Sequence, residues 1–222
     1  DYNKFKLFEK RALDTVYSEF PGGYHDDIIP ELVQRFLPEF KLDTQSKILD
    51  IGCGPGVFIK SAKDMGHTNV TGVTLSTEDV EACVRQGFDA INASMTDLPI
   101  DNSSVDFIWC RHALEHSPYP LFTLFEFQRV LKPGGQMFIE VPAPDNERTY
   151  MHEFNPNHYS ILGNRMWQGL FNKAGFELFS YWIYDINLPL DHKIVNEKSL
   201  IFALRLRDAD RVEQLHGVTV CS

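Results

Sequence analysis

The stretch that decides the fold is Lys47-Ile-Leu-Asp-Ile-Gly-Cys-Gly-Pro-Gly-Val57. Its first half is an apolar run, and apolar residues at helical spacing follow Pro55, which predicts a buried strand, a tight glycine turn and a helix. Glycines let the backbone approach a ligand where a Cβ would clash, and the start of the helix offers N–H groups without intrahelical partners. Such a turn can hold a nucleotide-like ligand.

The spacing of the glycines narrows the choice of ligand. A dinucleotide-binding turn follows the pattern Gly-x-Gly-x-x-Gly, whereas the glycines here alternate at Gly52, Gly54 and Gly56. The second predicted strand also ends at Thr74, where a dinucleotide-binding protein carries an acidic residue. Both features disfavour a dehydrogenase.

Strand-like and helical patterns alternate from residue 47 to residue 141, which predicts a parallel sheet with helices on both faces. In open sheets of this kind, ligands lie beyond the carboxyl ends of the strands, at the point where the strand order reverses. The loops that follow the strands should therefore share one site. The predicted strands are 47–51, 70–74, 89–92, 105–110 and 136–141, with a turn at 132–135 before the fifth.

The remaining segments complete one predicted domain that spans residues 1–222. Its parts are an N-terminal helical cap at 1–44, a core at 45–207 and a tail at 208–222. The cap contains two predicted helices, and the end of the core contains a helix and two strands joined by a long hairpin. The bounds of these elements are 4–20 and 26–38 for the cap, and 162–174, 176–184 and 199–207 for the core, with 185–198 as the hairpin.

Two segments are candidates for covering the site. Residues 142–160 show no clear periodicity, and a long irregular connection inside a compact domain is usually functional. Their side chains, among them Arg148 and Tyr159, mix aromatic bodies with polar tips, as a substrate lid needs. Tyr24 and His25 fall in a predicted loop beside two glycines, where they either cover the ligand or pack on the edge of the core.

The composition favours a soluble globular protein, with 222 residues of which 43% are hydrophobic. A formal net charge of −10 repels polyphosphates, so nucleic acid is not an expected partner. The apolar runs are far shorter than the ~20 residues of a bilayer span, and no basic-then-apolar leader is found, which favours a cytoplasmic protein without a membrane partner. The four cysteines form no Cys-x-x-Cys pair and are expected to be reduced thiols.

Asp50 and the alternating glycines that follow it resemble motif I of the class I S-adenosylmethionine-dependent methyltransferases. Further segments are similar to the small-molecule members of that group and occur in the same order: Asp97-Leu98-Pro99, Ser104 to Ile108, Ala113-Leu114-Glu115-His116, Val130 to Gly135 and Gly175-Phe176. The resemblance implies an α/β, Rossmann-like, doubly wound sheet of seven strands with the last strand antiparallel. It also implies S-adenosyl-L-methionine as the methyl donor and S-adenosyl-L-homocysteine as the product.

The resemblance assigns cofactor-binding roles to residues at the carboxyl ends of the first four strands. Gly52, Cys53, Gly54 and Gly56 would line the methionine part, and Asp50 would orient the loop and the cofactor's amino group. Thr74 stands where the family usually has an acidic residue that binds the ribose hydroxyls. Thr74-Leu75-Ser76 resembles the corresponding segment of the cyclopropane fatty acid synthases, in which a polar residue near the position of Asp79 helps to hold the ribose. The remaining expected contacts are Ser94 and Met95 at the adenine and Cys110 at the end of the fourth strand.

Histidines supply the candidate catalytic groups, because an imidazole near neutral pH can take a proton from a hydroxyl or position it. His112 lies nearest the end of the fourth strand and is expected to face the substrate, whereas His116 either contacts the substrate or shapes the turn. In the lid, His158 is a second base or substrate contact, or else packs as an ordinary loop residue. No metal is expected, because Pro118 and Pro120 argue against a helix that would align His112 with His116.

The predicted function is methyl transfer to oxygen, nitrogen or carbon of a small-molecule acceptor by in-line displacement, in a monomer or homodimer. The expected substrate contacts are Tyr24, His25, Arg148 and Tyr159. Two alternatives remain open at this stage. One is a methyltransferase-fold protein that binds without turnover, because Thr74 and Ser94 replace acidic residues at the cofactor. The other is methylation of lipid carbon, as in the cyclopropane synthases.

Overall fold

A seven-stranded sheet forms the centre of the computed structural model, which describes residues 2–12, 24–144, 157–190 and 193–208. The strand order is β3-β2-β1-β4-β5-β7-β6. The pairs from β3 to β5 are parallel, and β7 is antiparallel to both of its neighbours. The strands are β1 (Ile48–Ile51), β2 (Val70–Thr74), β3 (Asp89–Asn92), β4 (Val105–Arg111), β5 (Leu131–Pro142), β6 (Phe176–Leu190) and β7 (Lys193–Leu206).

Helices cover both faces of this sheet. They are α1 (Tyr2–Ala12), α2 (Tyr24–Phe36), α3 (Val57–Asp64), α4 (Thr77–Arg85), α5 (Pro120–Val130) and α6 (Asn164–Lys173). Two short 3₁₀ turns lie at Leu37–Phe40 and Leu114–His116. The predicted fold class, including the antiparallel last strand and the helices on both faces, is therefore confirmed.

The buried apolar side chains form two clusters, one on each side of the sheet. On one side Phe127 of α5 and Trp167 of α6 pack with strand residues such as Ile108. On the other side α2 and α3 pack against the sheet, and Phe58 and Trp109 stack with ring centroids 4.6 Å apart. Burial of these large side chains holds β1 and β4 rigidly side by side.

The strand order reverses between β1 and β4. From β1 the chain runs outward through β2 to the edge strand β3, and then returns to pair β4 with the other side of β1. Crevices at such a reversal lie beyond the carboxyl ends of the strands and are the usual ligand sites of open α/β sheets. The glycine turn that follows β1 and the Leu114–His116 turn that follows β4 therefore lie at this crevice.

Three details of the sequence interpretation are wrong. Tyr24 and His25 lie in the first turn of α2 rather than in a loop. The segment 132–135 is a bulge within β5, because Leu131 pairs with Val105 and Gln136 pairs with Phe107. Strands β6 and β7 also continue into the segment 185–198, where their register pairs Asp185 with Lys198.

Some predictions fall on parts of the chain that the structure does not describe. The second half of the first predicted helix, the larger part of the 142–160 lid and the tail beyond residue 208 are in this group. Within the described ranges, no helix combines the length and the apolar character that a membrane crossing needs.

Candidate functional site

The glycine turn after β1 has a conformation that only glycine adopts without strain. Gly52, Gly54 and Gly56 have φ angles of 74°, 47° and 89°, all in the left-handed region. A Cβ on Gly52 would lie 2.7 Å from the Cβ of Ala113, which follows β4. The turn is therefore packed directly against the segment that carries the candidate histidines.

Cysteines beside this turn belong to the protein core. Cys53 is buried, and a Cβ on Gly72 of β2 would lie 2.6 Å from its Sγ. Cys110 is fully buried in the cluster around Ile108, and burial raises the pKa of its thiol well above the ordinary value. Any cofactor contact from these two cysteines must therefore come from the backbone. Asp50, which is also buried, carries a carboxylate on β1 just before the turn.

The loop after β2 is held in place by its own hydroxyl groups. Thr74 Oγ1 accepts a hydrogen bond from the backbone N–H of Ser76 at 3.1 Å. Ser76 Oγ in turn caps α4 by accepting from the N–H of Asp79 at 3.1 Å. Asp79 is buried in the first turn of that helix, five residues after Thr74, so its carboxylate lies on the helix that directly follows the expected ribose position.

At the expected adenine edge, the structure adds a residue that sequence reasoning missed. Glu9 of α1 is buried, and its carboxylate accepts hydrogen bonds from Thr96 Oγ1 and, at 3.2 Å, from Ser94 Oγ. Met95 lies between these hydroxyls and packs against the core. The sequence does contain one indication of this role. Glu9 lies four residues after Phe5, so it is a charged residue on the otherwise apolar face of α1.

His112 lies at the end of β4 in a network of buried charges. Its Nδ1 is 3.3 Å from Glu115 Oε1, and its Nε2 is 3.3 Å from Glu140 Oε1 and 3.2 Å from Ser199 Oγ. Burial acts to lower the pKa of His112, but the two carboxylates outweigh it and raise the pKa to about 10. The ring is therefore a cation at neutral pH, a state in which it cannot accept a proton.

Glu140 of β5 balances two cations in this network. Its Oε2 lies 2.8 Å from Arg111 Nε, and both side chains are buried. Burial alone would raise the pKa of Glu140, but the charge of Arg111 and the contact with His112 lower it to about 2. Sequence reasoning missed Arg111, Glu140 and Ser199 because strand register, rather than sequence spacing, brings them together. The expected role of His112 in catalysis stays a prediction.

The other two predicted catalytic histidines lie together. The ring centroids of His116 and His158 are 4.5 Å apart with the planes at 74°. His116 Nδ1 donates a hydrogen bond to the carbonyl of Asn157 at 3.0 Å. The backbone N–H groups of Tyr159 and Ser160 donate to the carbonyl of Glu115 at 2.9 and 3.1 Å, which fixes the two segments against each other.

The predicted substrate contacts are only partly described. Tyr159 lies beside His158 with 44% of its surface exposed, so it can meet a bound molecule. Arg148 lies outside the described residues. The same holds for the side chains of Tyr24 and His25, whose backbone belongs to α2.

The donor set at this edge of the sheet fits S-adenosylmethionine. The glycine turn lets backbone N–H groups come close to a carboxylate, and the buried Asp50 suits a cationic amino group. Asp79 and Thr74 offer oxygen atoms for ribose hydroxyls, and Ser94 with Met95 suits an adenine ring. The cofactor is thus matched by side chains of suitable chemistry at Asp50, Thr74, Asp79, Ser94 and Met95, whereas the glycines and the two buried cysteines would contribute backbone groups.

Comparisons with known proteins agree with this geometry. A family model described as a methyltransferase domain matches residues 23–181. The 27-O-demethylrifamycin SV methyltransferase of Amycolatopsis mediterranei is 28% identical over 193 residues, which cover 74% of this chain and 69% of that protein. The ubiquinone biosynthesis O-methyltransferase of Vibrio parahaemolyticus is 31% identical over 99 residues, which cover 41% of this chain and 42% of that protein.

A solved structure shares the fold. It is that of an S-adenosylmethionine-dependent methyltransferase from Archaeoglobus fulgidus, with a TM-score of 0.66 and 18% identity over 92% of this chain and all of its own. The cofactor of the matched family is S-adenosylmethionine. By the family match, the strand order and the geometry of the glycine turn, the chain belongs to the class I S-adenosylmethionine-dependent methyltransferases.

Proposed function

We propose that this protein transfers a methyl group to a hydroxyl oxygen of a small molecule. The observation that carries the proposal is the pair of imidazoles formed by His116 and His158, with ring centroids 4.5 Å apart. His116 belongs to the turn that packs on the glycine loop through Ala113 and Gly52, and the segment of His158 is hydrogen-bonded to that turn through the carbonyl of Glu115. Two imidazoles at the methyl-donor end of the site can bind a hydroxyl and take its proton.

The relatives support an oxygen acceptor. Two of the proteins that this chain resembles are named as methyltransferases of 27-O-demethylrifamycin SV and of ubiquinone biosynthesis, and both names specify O-methylation or a demethylated oxygen. The formal net charge of −10 also favours a small acceptor over nucleic acid. We therefore rank oxygen first as the acceptor atom, and we rank carbon second, because another relative is named as a sterol 4-C-methyltransferase.

Alignment is the main task of the protein in this reaction, because displacement at a sulfonium has a good leaving group. When bound, S-adenosylmethionine supplies an electrophilic methyl group. Asp50 and the glycine turn would hold the methionine end, and this turn packs against the segment that leads to His116. As the acceptor oxygen forms its bond to the methyl carbon, the bond between carbon and sulfur breaks, and an imidazole takes the hydroxyl proton.

His116 has the tautomer that this role needs. Its Nδ1–H donates to the carbonyl of Asn157 at 3.0 Å, so in the neutral ring Nε2 carries the lone pair. His112 has a different role in this scheme. Both of its nitrogens face carboxylates at 3.3 Å, so it acts as a positioning residue that holds Glu115 and thereby the turn of His116.

The test combines cofactor binding with product formation. Calorimetric titration should show one bound S-adenosylmethionine per chain. The protein is then incubated with phenols, aliphatic alcohols and amines, and S-adenosylhomocysteine should form only with a compound that carries a hydroxyl group. His116→Ala and His158→Ala should each retain cofactor affinity while turnover falls about 10²- to 10⁴-fold, as expected for loss of a general base. Lys60→Ala, an exposed change on α3, is the control and should leave turnover unchanged.

Two outcomes would contradict the proposal. Absence of cofactor binding at millimolar concentration would favour the non-catalytic interpretation, in which the fold binds a different ligand. Turnover of amines with no turnover of hydroxyl compounds would retain the enzyme and refute the oxygen acceptor.

A further inference from the structure

We propose that Glu115, His116 and His158 form a binding site for a divalent transition-metal cation. One potential ligand atom from each side chain lies within 4.8 Å of the other two. Two imidazole nitrogens and one carboxylate oxygen are a ligand set that suits Zn²⁺ and neighbouring divalent transition metals. The sequence does not predict this site, because His158 lies 42 positions after His116 and only the fold brings the two together.

The orientation of His116 is that of a metal ligand. Its Nδ1–H donates to the backbone carbonyl of Asn157 at 3.0 Å. In most metal sites the ligating histidine donates its other ring N–H to a carbonyl or carboxylate, which fixes the ring and the tautomer. The neutral ring of His116 therefore has its lone pair on Nε2, and its plane is set at 74° to the ring of His158.

Glu115 brings a negative charge that its surroundings satisfy only in part. The side chain is fully buried, and Oε1 lies 3.3 Å from His112 Nδ1. Oε2 accepts no hydrogen bond from any residue that the structure describes. A buried carboxylate oxygen without a donor is unfavourable, and a cation held between this oxygen and the two imidazoles would remove the cost.

The backbone holds the three ligands in place before any cation arrives. Tyr159 and Ser160 both donate their N–H groups to the carbonyl of Glu115, at 2.9 and 3.1 Å. The segment that carries His158 is thereby fixed against the 3₁₀ turn that carries Glu115 and His116. Metal–ligand bonds are about 2.0–2.2 Å long, so the three side chains close on the cation from separations of up to 4.8 Å between their ligand atoms. Preorganisation of this kind favours binding, because little conformational entropy remains to be lost.

The site has a chemical use that rests on the proposed function. Three protein ligands leave coordination positions open, and the acceptor hydroxyl can take one of them. A bound cation lowers the pKa of a coordinated hydroxyl, so that the oxygen attacks the methyl group as an anion and its proton passes to water. In the metal-bound protein the two imidazoles are thus ligands, and the cation replaces them as the group that activates the hydroxyl. Binding of the cation itself requires neither the acceptor nor methyl transfer.

The experiment uses the full chain after removal of metals with a chelator, and Zn²⁺ alone as the probe. Calorimetric titration should show one Zn²⁺ per chain. His116→Ala and His158→Ala should each weaken binding at least about a hundredfold, since loss of a ligand exceeds the effect of losing a group that only orients one. The control is His67→Asn, which removes a buried histidine from the segment between α3 and β2. Circular dichroism establishes that each variant is folded.

A second probe identifies the ligand type. Co²⁺ should give the absorption of a site with nitrogen and oxygen ligands, and this absorption should disappear in both histidine variants. Absence of Zn²⁺ binding, unchanged binding in both variants, or the intense charge-transfer band of a thiolate ligand would each overturn the proposal.

Different experimental results would refute the metal site and the proposed function. Metal binding that depends on both histidines, together with no methyl transfer to any hydroxyl, would retain the metal site and refute the proposed function. Methyl transfer that is unaffected by chelator, in a protein that binds no Zn²⁺, would retain the proposed function and refute the metal site.

Discussion

Arg111 Nε lies 2.8 Å from Glu140 Oε2, in a buried ion pair between neighbouring residues of β4 and β5. Glu140 also contacts His112, so one carboxylate balances two cations at the end of β4. His112 in turn contacts Glu115, which lies in the turn of His116. The buried charges at the ends of β4 and β5 thus support the turn of His116 from the side that faces the protein core.

Loss of the Glu140 charge should destabilise the whole protein. Glu140→Gln leaves Arg111 and His112 buried without their carboxylate, and removal of one partner of a buried ion pair typically costs about 3–5 kcal/mol. The free energy of unfolding, measured with urea at pH 7, should fall by that amount. Glu177→Gln is the matched control, because Glu177 also pairs with an arginine on a neighbouring strand but is partly exposed.

The same variant predicts a pH dependence. The pKa of Glu140 is lowered from 4.5 to about 2 on folding, so its stabilising contribution is present above about pH 4.5 and is lost as the pH falls toward 2. The difference in unfolding free energy between wild type and Glu140→Gln should be fully present at about pH 6 and should shrink as the pH falls below 4.5. A difference that grows as the pH falls from 4.5 toward 2 would contradict the assignment of Glu140 as an anion.

His112→Asn separates a positioning role from a catalytic one. Asparagine tolerates the left-handed backbone of this position, where φ is 47°, but it carries no positive charge for Glu115 and Glu140. We expect a lower unfolding free energy and weaker turnover together, because the turn of His116 loses its support. Loss of turnover with unchanged stability would instead identify His112 as a group that acts on the substrate.

The glycine turn can be tested with a matched pair of alanine variants. Gly52→Ala places a Cβ 2.7 Å from that of Ala113 and at a φ of 74°, whereas Gly87→Ala has nearly the same φ and nothing within 4 Å. Backbone strain of about 1–2 kcal/mol should appear in both variants, and loss of cofactor affinity of about tenfold or more only in Gly52→Ala. Calorimetry with S-adenosylmethionine measures the affinity.

A second-site change checks the cause. Ala113→Gly removes the methyl group that the new Cβ would meet, so the double variant Gly52→Ala with Ala113→Gly should recover part of the lost affinity. No recovery would show that backbone strain, and not the contact with Ala113, determines the effect.

The sheet could be predicted from sequence because its signals are local. Apolar runs such as 48–51, which ends before Gly52, and 105–110 mark the central strands, and the structure differs by one residue at most for the first four. The bulge of β5 could not be predicted in this way. Lys132-Pro-Gly-Gly135 has the composition of a turn, and only the pairing of Leu131 with Val105 shows that the strand begins before it.

The candidate site could be predicted only where it follows the ends of strands. The glycine turn, His112 and His116 satisfy that rule, and they lie at the crevice. Glu140 is one charged residue within the apolar run of β5, and its partners Arg111 and Ser199 are chosen by register. A contact that depends on how strands distant in sequence pair with each other produces no recognisable pattern of residue spacing.

Glu9 allows a direct test of whether the N-terminal helical cap contributes to cofactor binding. Its helix, α1, is distant in sequence from β3 but supplies a carboxylate at the expected adenine position. Its carboxylate accepts from the hydroxyls of Ser94 and Thr96 and is buried against them. Glu9→Ala removes the carboxylate that both hydroxyls share and one polar attachment of α1, while the ion pair of Lys6 with Asp97 remains, so we expect weaker binding of S-adenosylmethionine by about three- to tenfold.

The matched control is Lys10→Ala, because Lys10 is the next residue of α1 and is exposed. Limited proteolysis gives a second measurement, since detachment of α1 should expose its backbone to cleavage and bound cofactor should slow that cleavage in the wild-type protein. If Glu9→Ala binds the cofactor and resists protease as the wild type does, α1 does not contribute to the cofactor site. Weaker binding with unchanged resistance would assign the effect to the carboxylate itself, because the helix would then still cover the loop after β3.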